Sequence, residues 1–402
     1  MIEKSKPQDV LFLTMLVIIS VISGLDTNIY IQFFPQIIKY FHIEEKNAEY
    51  IIRFSLAGAL VSGLIIGPLD DSYGRKKIFI GGLLLYSISS FSCFISQNFE
   101  SLLFWRFIQG ASKSSLIIVG WIIAFDIFSM NKSGKVLGFV RGISTLILAI
   151  IPLFFFYISN LVGWHNVFLS MVVLSLVSLI IAILFVNETH PVDKRKKFSF
   201  IEALQQYSKL IKNFNFIAYI IIYSAASGIY NIYFSNASII YVENLMMTKQ
   251  EFSMYQTINA AIYIIFSFLS IRLIENKGID YTKNIGFLLF IIGCLAMFIF
   301  SEENKTNYHN IFNFMMVVSM GGALMNGFLL KAINIFPESR GTCMSFNNLV
   351  ATIFSARAIF WSQKLFDGTI LPTTTIILIC AIVTIILFII LQYREKLKEK
   401  IN

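Results

Sequence analysis

Gly67-Pro68-Leu69-Asp70-Asp71-Ser72-Tyr73-Gly74-Arg75-Lys76 is a polar stretch set between two long apolar runs, Tyr50 to Leu69 and Ile78 to Ser96. Gly74 can take the positive φ that a tight turn demands. Asp71 can accept bonds from a helix N-terminus or an arginine, and Arg75 and Lys76 put positive charge at the turn. Two apolar helices joined by a short basic turn are what a chain shows where it crosses a bilayer and returns. A hydrocarbon core of ~30 Å needs about 20 apolar residues per helix, and ten further runs have that character. They are Leu11 to Phe34, Leu102 to Phe128, Val136 to Ser159, Val167 to Val186 and Phe214 to Tyr241, then Phe252 to Leu273, Ile285 to Phe300, Ile311 to Ala332, Thr342 to Leu365 and Ile370 to Tyr393. The run at Ile285 is the shortest and extends into its flanks. The expected fold is an all-α membrane protein of twelve transmembrane helices.

The composition agrees. Hydrophobic residues make up 56% of the 402-residue chain, charged residues only 14%, and the mean hydropathy is +0.73. Soluble domains carry roughly 25% charged residues, so part of the solvent must be lipid. That excludes a soluble enzyme, a nucleic-acid-binding domain and a disordered chain. The first run is longer than a signal-peptide core and lacks an A-x-A-like cleavage site, so it is read as a retained span. Lys and Arg concentrate in the N-terminal segment, in alternate loops and at the C-terminus, whereas the intervening loops carry only Lys39, Lys46, Lys249, Lys305 and Lys364. This asymmetry places both termini in the cytoplasm. The net charge of +9 is thereby spread over short inner loops, where topology and lipid headgroups account for it.

The longest hydrophilic stretch, Asn187 to Asn213, divides the chain into a six-helix bundle over 1–186 and another over 214–402, the layout of carriers with a site between two repeat-related halves. Cys93, Cys294, Cys343 and Cys380 lie far apart in apolar runs, and His42, His165, His190 and His309 fall in or beside loops without metal spacing. No H-E-x-x-H, G-x-S-x-G or P-loop pattern occurs. Neither an enzyme nor a bound metal is expected.

The stretch from Gly67 to Lys76 resembles the G-x-L-x-D-x-x-G-R-[RK] signature of the major facilitator superfamily, at the place between spans two and three where that family carries it. Arg106-Phe107-Ile108-Gln109-Gly110 resembles the R-F-x-Q-G of its drug:proton antiporters. Gly163-Trp164-His165-Asn166-Val167-Phe168 resembles their G-W-R-x-I-F. Asn187-Glu188-Thr189 resembles the P-E-T closing the first half, and Phe336-Pro337-Glu338 with Gly341-Thr342 and Ser345 resembles their F-P-x-x-x-G-T-x-x-S. Together these resemble the Bcr/CflA (bicyclomycin-resistance) subfamily. The resemblance implies two six-helix bundles, drug efflux in exchange for protons, a proton gradient as energy source with no cofactor, and a latch of Gly67, Asp71, Gly74, Arg75 and Lys76. It further implies a bacterial inner-membrane location and a monomer that meets protons, lipid and a small molecule. There are departures. Ala149-Ile150-Ile151-Pro152-Leu153-Phe154-Phe155-Phe156 has Phe where the antiporters have paired glycines. Lys113 stands at a small-residue position, and Trp121 and Phe125 stand where Arg is usual, although Asp126 matches. In span one, Leu25-Asp26 with Pro35 fits the drug-exporter pattern, whereas the subfamily's D-M-Y-L-P would put Asn28 on its acid.

An ionisable side chain inside the bilayer costs roughly 3 kcal/mol or more and points to function. At ~1.5 Å per residue, Asp26 lies ~24 Å above the inner end of span one, Arg106 ~6 Å and Lys113 ~17 Å below the outer end of span four, and Arg357 ~22 Å above the inner end of span eleven. Arg53 and Arg141 are read as snorkelling near span ends. Asp26 is the one deep carboxylate in these runs, hence the expected proton-coupling acid, with Arg106 as partner; a permanent structural ion pair is the alternative. Arg106, Lys113 and Arg357 against Asp26 leave the interior positive, which favours an anionic or neutral polar substrate over a cation. Asn28, Lys113, Tyr230, Asn231, Tyr233, Asn259, Asn326 and Arg357 are the candidate substrate contacts. An importer or exporter of a small organic anion or polar metabolite is therefore a second reading beside drug efflux.

Overall fold

The computed structural model describes residues 7–28, 33–158, 163–191, 193, 195, 199–238, 241, 248–301 and 308–401. The side chains of Asn28 and of residues 149–158 lie outside the described residues, and with them the phenylalanines of the fifth run. The elements are α1 (Pro7–Asn28), α2 (Phe34–Phe41), α3 (Glu45–Ala48), α4 (Tyr50–Tyr73), α5 (Arg75–Phe94), α6 (Phe99–Ile127), α7 (Met130–Ile158) and α8 (Trp164–Phe185), then α9 (Phe200–Lys212), α10 (Phe214–Ser238), α11 (Lys249–Ile299), α12 (Tyr308–Leu324), α13 (Asn326–Ile333), α14 (Arg340–Lys364) and α15 (Leu371–Ile401).

Among the described residues, twelve rods answer to the twelve expected runs once two breaks are understood. α11 is helical throughout except at Gly278, whose φ of 83° and ψ of 173° no helix contains, so it holds two successive crossings. The second begins directly after Gly278, which makes the ninth crossing longer than its apolar run. The tenth is α12 followed by α13, broken at Met325. α1 stops at Asn28, short of the expected Phe34, and Phe34 and Pro35 instead open the separate helix α2, proline being favourable in a first turn. Among the described residues nine helices are long and apolar enough to cross a membrane, α11 being counted once. α14 is diluted by polar residues such as Asn347 and Asn348.

The chain gathers into two compact units. The first comprises Met1–Ser129, Ile143–Gln206 and Glu338–Phe346; the second comprises Met130–Gly142, Tyr207–Pro337 and Asn347–Asn402. In the first unit α6 lies against α4 and α5, and α8 against α5 and α1. In the second, α11 pairs with α12, and α10 with α15 and α13. Exposed apolar residues recur at helical spacing, as with Val173, Leu176, Ile180 and Leu184 on α8, which is the lipid-facing stripe of a span.

The α4–α6 seam sets the position of the buried charges in the first unit. A Cβ on Gly58 would strike the carbonyl oxygen of Phe107, and one on Gly110 would strike that of Ser55. The two backbones touch because both positions lack side chains, as small-residue seams in membranes require. That contact brings Ser55 and Ile51 beside Arg106. Gly110→Val should therefore lower the thermal unfolding midpoint of the purified protein, by an amount equivalent to about 1–3 kcal/mol of overpacking. Gly81→Ala, where a Cβ meets nothing within 4 Å, should leave the midpoint unchanged.

Candidate functional site

Asp26, two residues from the end of α1, is completely buried in the first unit. Its Oδ1 accepts from Nη1 of Arg106 at 2.5 Å, and its Oδ2 accepts from Nζ of Lys113 at 2.6 Å and from Oγ of Ser55 at 3.0 Å. Arg106 and Lys113 are seven positions apart on α6, hence on one face of the helix. Arg106 does more than pair. Its Nη2 donates to the carbonyl of Asp26 at 3.2 Å, its Nε to the carbonyl of Ile51 at 3.2 Å, and its Nη1 to Oε1 of Gln109 at 2.7 Å. Gln109 in turn donates to Oγ of Ser90 at 2.8 Å. One guanidinium thus ties α1, α4 and α6 together, and through Gln109 it reaches α5. The sequence placed Asp26 beside Arg106. It offered Lys113 as a substrate contact, but the Lys113 ammonium is turned onto Asp26. Ser55, Gln109 and Ser90 carried no charge to single them out.

At the far ends of α4 and α6 the charge balance reverses. Arg75, 2% exposed, donates from Nη1 to Asp70 and Asp71 at 2.7 Å each and from Nε to Asp126 at 3.1 Å. Its backbone N donates to Glu188 at 2.9 Å. Arg340 donates to Asp126 at 2.9 Å and to the Phe125 carbonyl at 2.8 Å. Thr189 donates to Asp126 at 3.0 Å, and the Thr342 hydroxyl sits 3.1 Å from Asp71. Gly74 takes a φ of 96°, and a Cβ there would strike Arg195 and Glu188. Gly67 lies against the Gly341 backbone, where a Cβ would be blocked. Lys76 points away and donates to the Ile183 carbonyl at 3.1 Å. Of the expected latch residues, Gly67, Asp71, Gly74 and Arg75 lie together in the first unit and Lys76 does not join them; Asp70 and Arg340, which were not foreseen, do. Asp70 is fully buried and Arg75 is its partner, its Oδ1 having none. Arg340 falls on an unspecified position of the F-P-x-x-x-G pattern, so no motif marks it. Beside them, burial and the Arg75 guanidinium push the His190 imidazole below its usual range.

The second unit holds the remaining candidates. On α10, Tyr230 and Asn231 are exposed, and Asn231 donates to Oγ of Ser355 at 3.3 Å. Tyr233 is buried and donates to the Tyr241 hydroxyl at 2.8 Å, which is a helix tie. Asn259 and Asn326 are buried, and Asn326 donates to the Ala323 carbonyl at 3.3 Å. Arg357 is exposed on α14. Arg141 lies eleven residues into α7, ~16 Å along it. It donates to the Tyr223 hydroxyl and lies over that ring at 5.3 Å from the centroid. Arg53 is exposed as expected, pairing with Glu49 at 2.6 Å.

The sequence profile of the Major Facilitator Superfamily matches residues 16–359. A protein described as an uncharacterized transporter of Rickettsia bellii is 24% identical over 95% of this chain and 97% of its own. A bicyclomycin resistance protein homolog of Haemophilus influenzae is 19% identical over 96% and 97%. The chloramphenicol resistance protein CraA of Acinetobacter baumannii is 24% identical over 61% and 59%. Among solved structures, the human organic anion transporter MFSD10 superposes with a TM-score of 0.68 at 14% identity over 96% of this chain and all of that one. The proton:xylose symporter XylE gives 0.69 at 14% over 93% and 94%.

Removing Arg75 would leave Asp70 as a lone buried charge. Arg75→Gln should destabilise the protein by about 3–5 kcal/mol, the usual result of breaking a buried pair from one side. Adding Asp70→Asn should restore a large part of that, as read by thermal unfolding. Equal midpoints for the single and double variants would show that Asp70 does not depend on Arg75.

Proposed function

The chain belongs to the major facilitator superfamily, and on that premise we propose that it is a proton-coupled secondary transporter of the drug-export type, working by alternating access. It is an integral membrane protein. In this reading the bundles 1–186 and 214–402, joined by the loop 187–213, work as a monomer in a bacterial inner membrane with both termini cytoplasmic. The proton gradient supplies the energy, and no cofactor takes part.

The observation that carries the reading is the burial of Asp26 between Arg106 and Lys113, at 2.5 and 2.6 Å. Two cations held near one carboxylate in a low-dielectric interior attract it strongly and repel each other. A proton delivered to Asp26 removes the charge that holds them, so the ion pairs between α1 and α6 are lost. Return of the carboxylate restores it. A substrate that prefers one of the two arrangements then moves against the proton. The drug-export direction follows the bicyclomycin and chloramphenicol resistance relatives.

A second reading, a carrier of a small organic anion or other polar metabolite, is favoured by the two-to-one excess of cations around Asp26. Competition by small organic anions would support it over drug export.

In proteoliposomes with an imposed pH gradient, the wild-type protein should accumulate labelled chloramphenicol. Asp26→Asn should lose the gradient-driven accumulation while keeping exchange of chloramphenicol between the two sides. Gradient-driven uptake at wild-type levels by Asp26→Asn would remove Asp26 from the coupling.

A further inference from the structure

We propose that Arg141, with Tyr223, Tyr263, Tyr230 and Asn259, forms a binding site for the carboxylate of an amphipathic organic anion. The inference rests on the transport reading for its purpose and names the substrate class.

Arg141 is a half-buried guanidinium set among tyrosines. Its hydrogen-bonding partners are the hydroxyls of Tyr223 on α10 and Tyr263 on α11, and it lies over the Tyr223 ring. Among the described residues no carboxylate forms an ion pair with it. Arg106 and Lys113 differ in this respect, since they share Asp26. A cation taken out of water without a counter-ion is costly, and phenol hydroxyls and a ring face offset only part of that cost. A guanidinium presents five donors in a planar fork, and two hydroxyls leave the fork unfilled. A carboxylate is the group that matches its shape and charge.

The neighbouring residues give the site a direction. Tyr223 and Tyr230 are seven positions apart on α10, and Asn259 and Tyr263 four apart on α11, so each pair shares a helix face. Asn259 is completely buried and faces the Tyr230 hydroxyl, yet neither its amide nitrogen nor its oxygen makes a hydrogen bond of normal geometry. A buried amide left in that condition is costly, and a polar ligand atom would relieve it. Tyr230 and Asn231, with Ser227, form an exposed stripe on α10 that is polar, whereas the exposed stripe of α11 is apolar, as at Met254 and Ile265. A polar stripe halfway along a spanning helix meets water or ligand, not lipid. The arrangement therefore offers a fixed cation at one end, tyrosine rings in the middle and an unsatisfied amide at the other end. A molecule with one carboxylate, an aromatic or apolar body and one further polar atom fits it.

The test is equilibrium binding of labelled benzoate to purified protein in nanodiscs, which needs no transport. Wild type should bind benzoate saturably, with no competition from benzamide or benzylammonium. Arg141→Gln should weaken binding about tenfold or more, the usual consequence of losing a charged hydrogen-bond donor. Arg53→Gln, which removes an exposed arginine instead, should bind as wild type does. Should Arg141→Gln not fold, Arg141→Lys, which keeps the charge and loses the fork, should bind benzoate more weakly than wild type. The proposal is overturned if wild type shows no saturable benzoate binding, if a folded Arg141 variant binds at full strength, or if benzylammonium competes. Benzoate binding by a protein that moves nothing in proteoliposomes would sink the transport reading and leave this site standing.

Discussion

Asp26 is one carboxylate with two cations, and all three are buried. Taking Asp26 away would leave two cations unpaired in a medium that cannot solvate them. That constraint orders the first unit. It explains why Arg106 also takes the backbone oxygens of Asp26 and Ile51, since a buried guanidinium must fill its donors. It explains why α4 and α6 meet backbone to backbone at Gly58 and Gly110, since a bulkier seam would carry Ser55 away from the acid. The site is built from the end of one helix and the middle of another.

The same two helices carry a second charged cluster with the opposite excess. Around Arg75 gather Asp70, Asp71 and Asp126, with Glu188 on its backbone nitrogen. α4 supplies Ser55 to one cluster and Asp70 and Asp71 to the other; α6 supplies Arg106 and Lys113 to one and Asp126 to the other. Two continuous helices therefore carry side chains of both clusters. Arg340 and Thr342 extend the second cluster to the first turn of α14, which ties that turn into the first unit through side chains.

Much of this was legible in the sequence. Apolar length gave the crossings, because lipid demands it of every residue along a span. The Gly67–Lys76 motif marked the turn, because a positive φ and a cluster of charges have few other uses there. Asp26 and Arg106 stood out, because charge at depth is rare. Other features were illegible for physical reasons. Asp70 reads as one more loop acid until burial is known. Lys113 reads as free until its rotamer is seen. Arg141 looked like a snorkelling residue, and its contact with the Tyr223 ring shows only in the fold. The polar stretch 274–284 reads as a loop, whereas only Gly278 interrupts the helix there, and α2 hides inside what reads as the end of the first span.

The most direct measurement is a thermal-unfolding cycle on the purified protein in one lipid and at one pH, using Asp26→Asn, Lys113→Met and the pair combined. A shared carboxylate predicts that Asp26→Asn alone lowers stability by about 3–5 kcal/mol. It also predicts that Lys113→Met alone is tolerated and that the double variant recovers part of the loss. Strict additivity of the two changes, or an Asp26→Asn protein as stable as wild type, would contradict it.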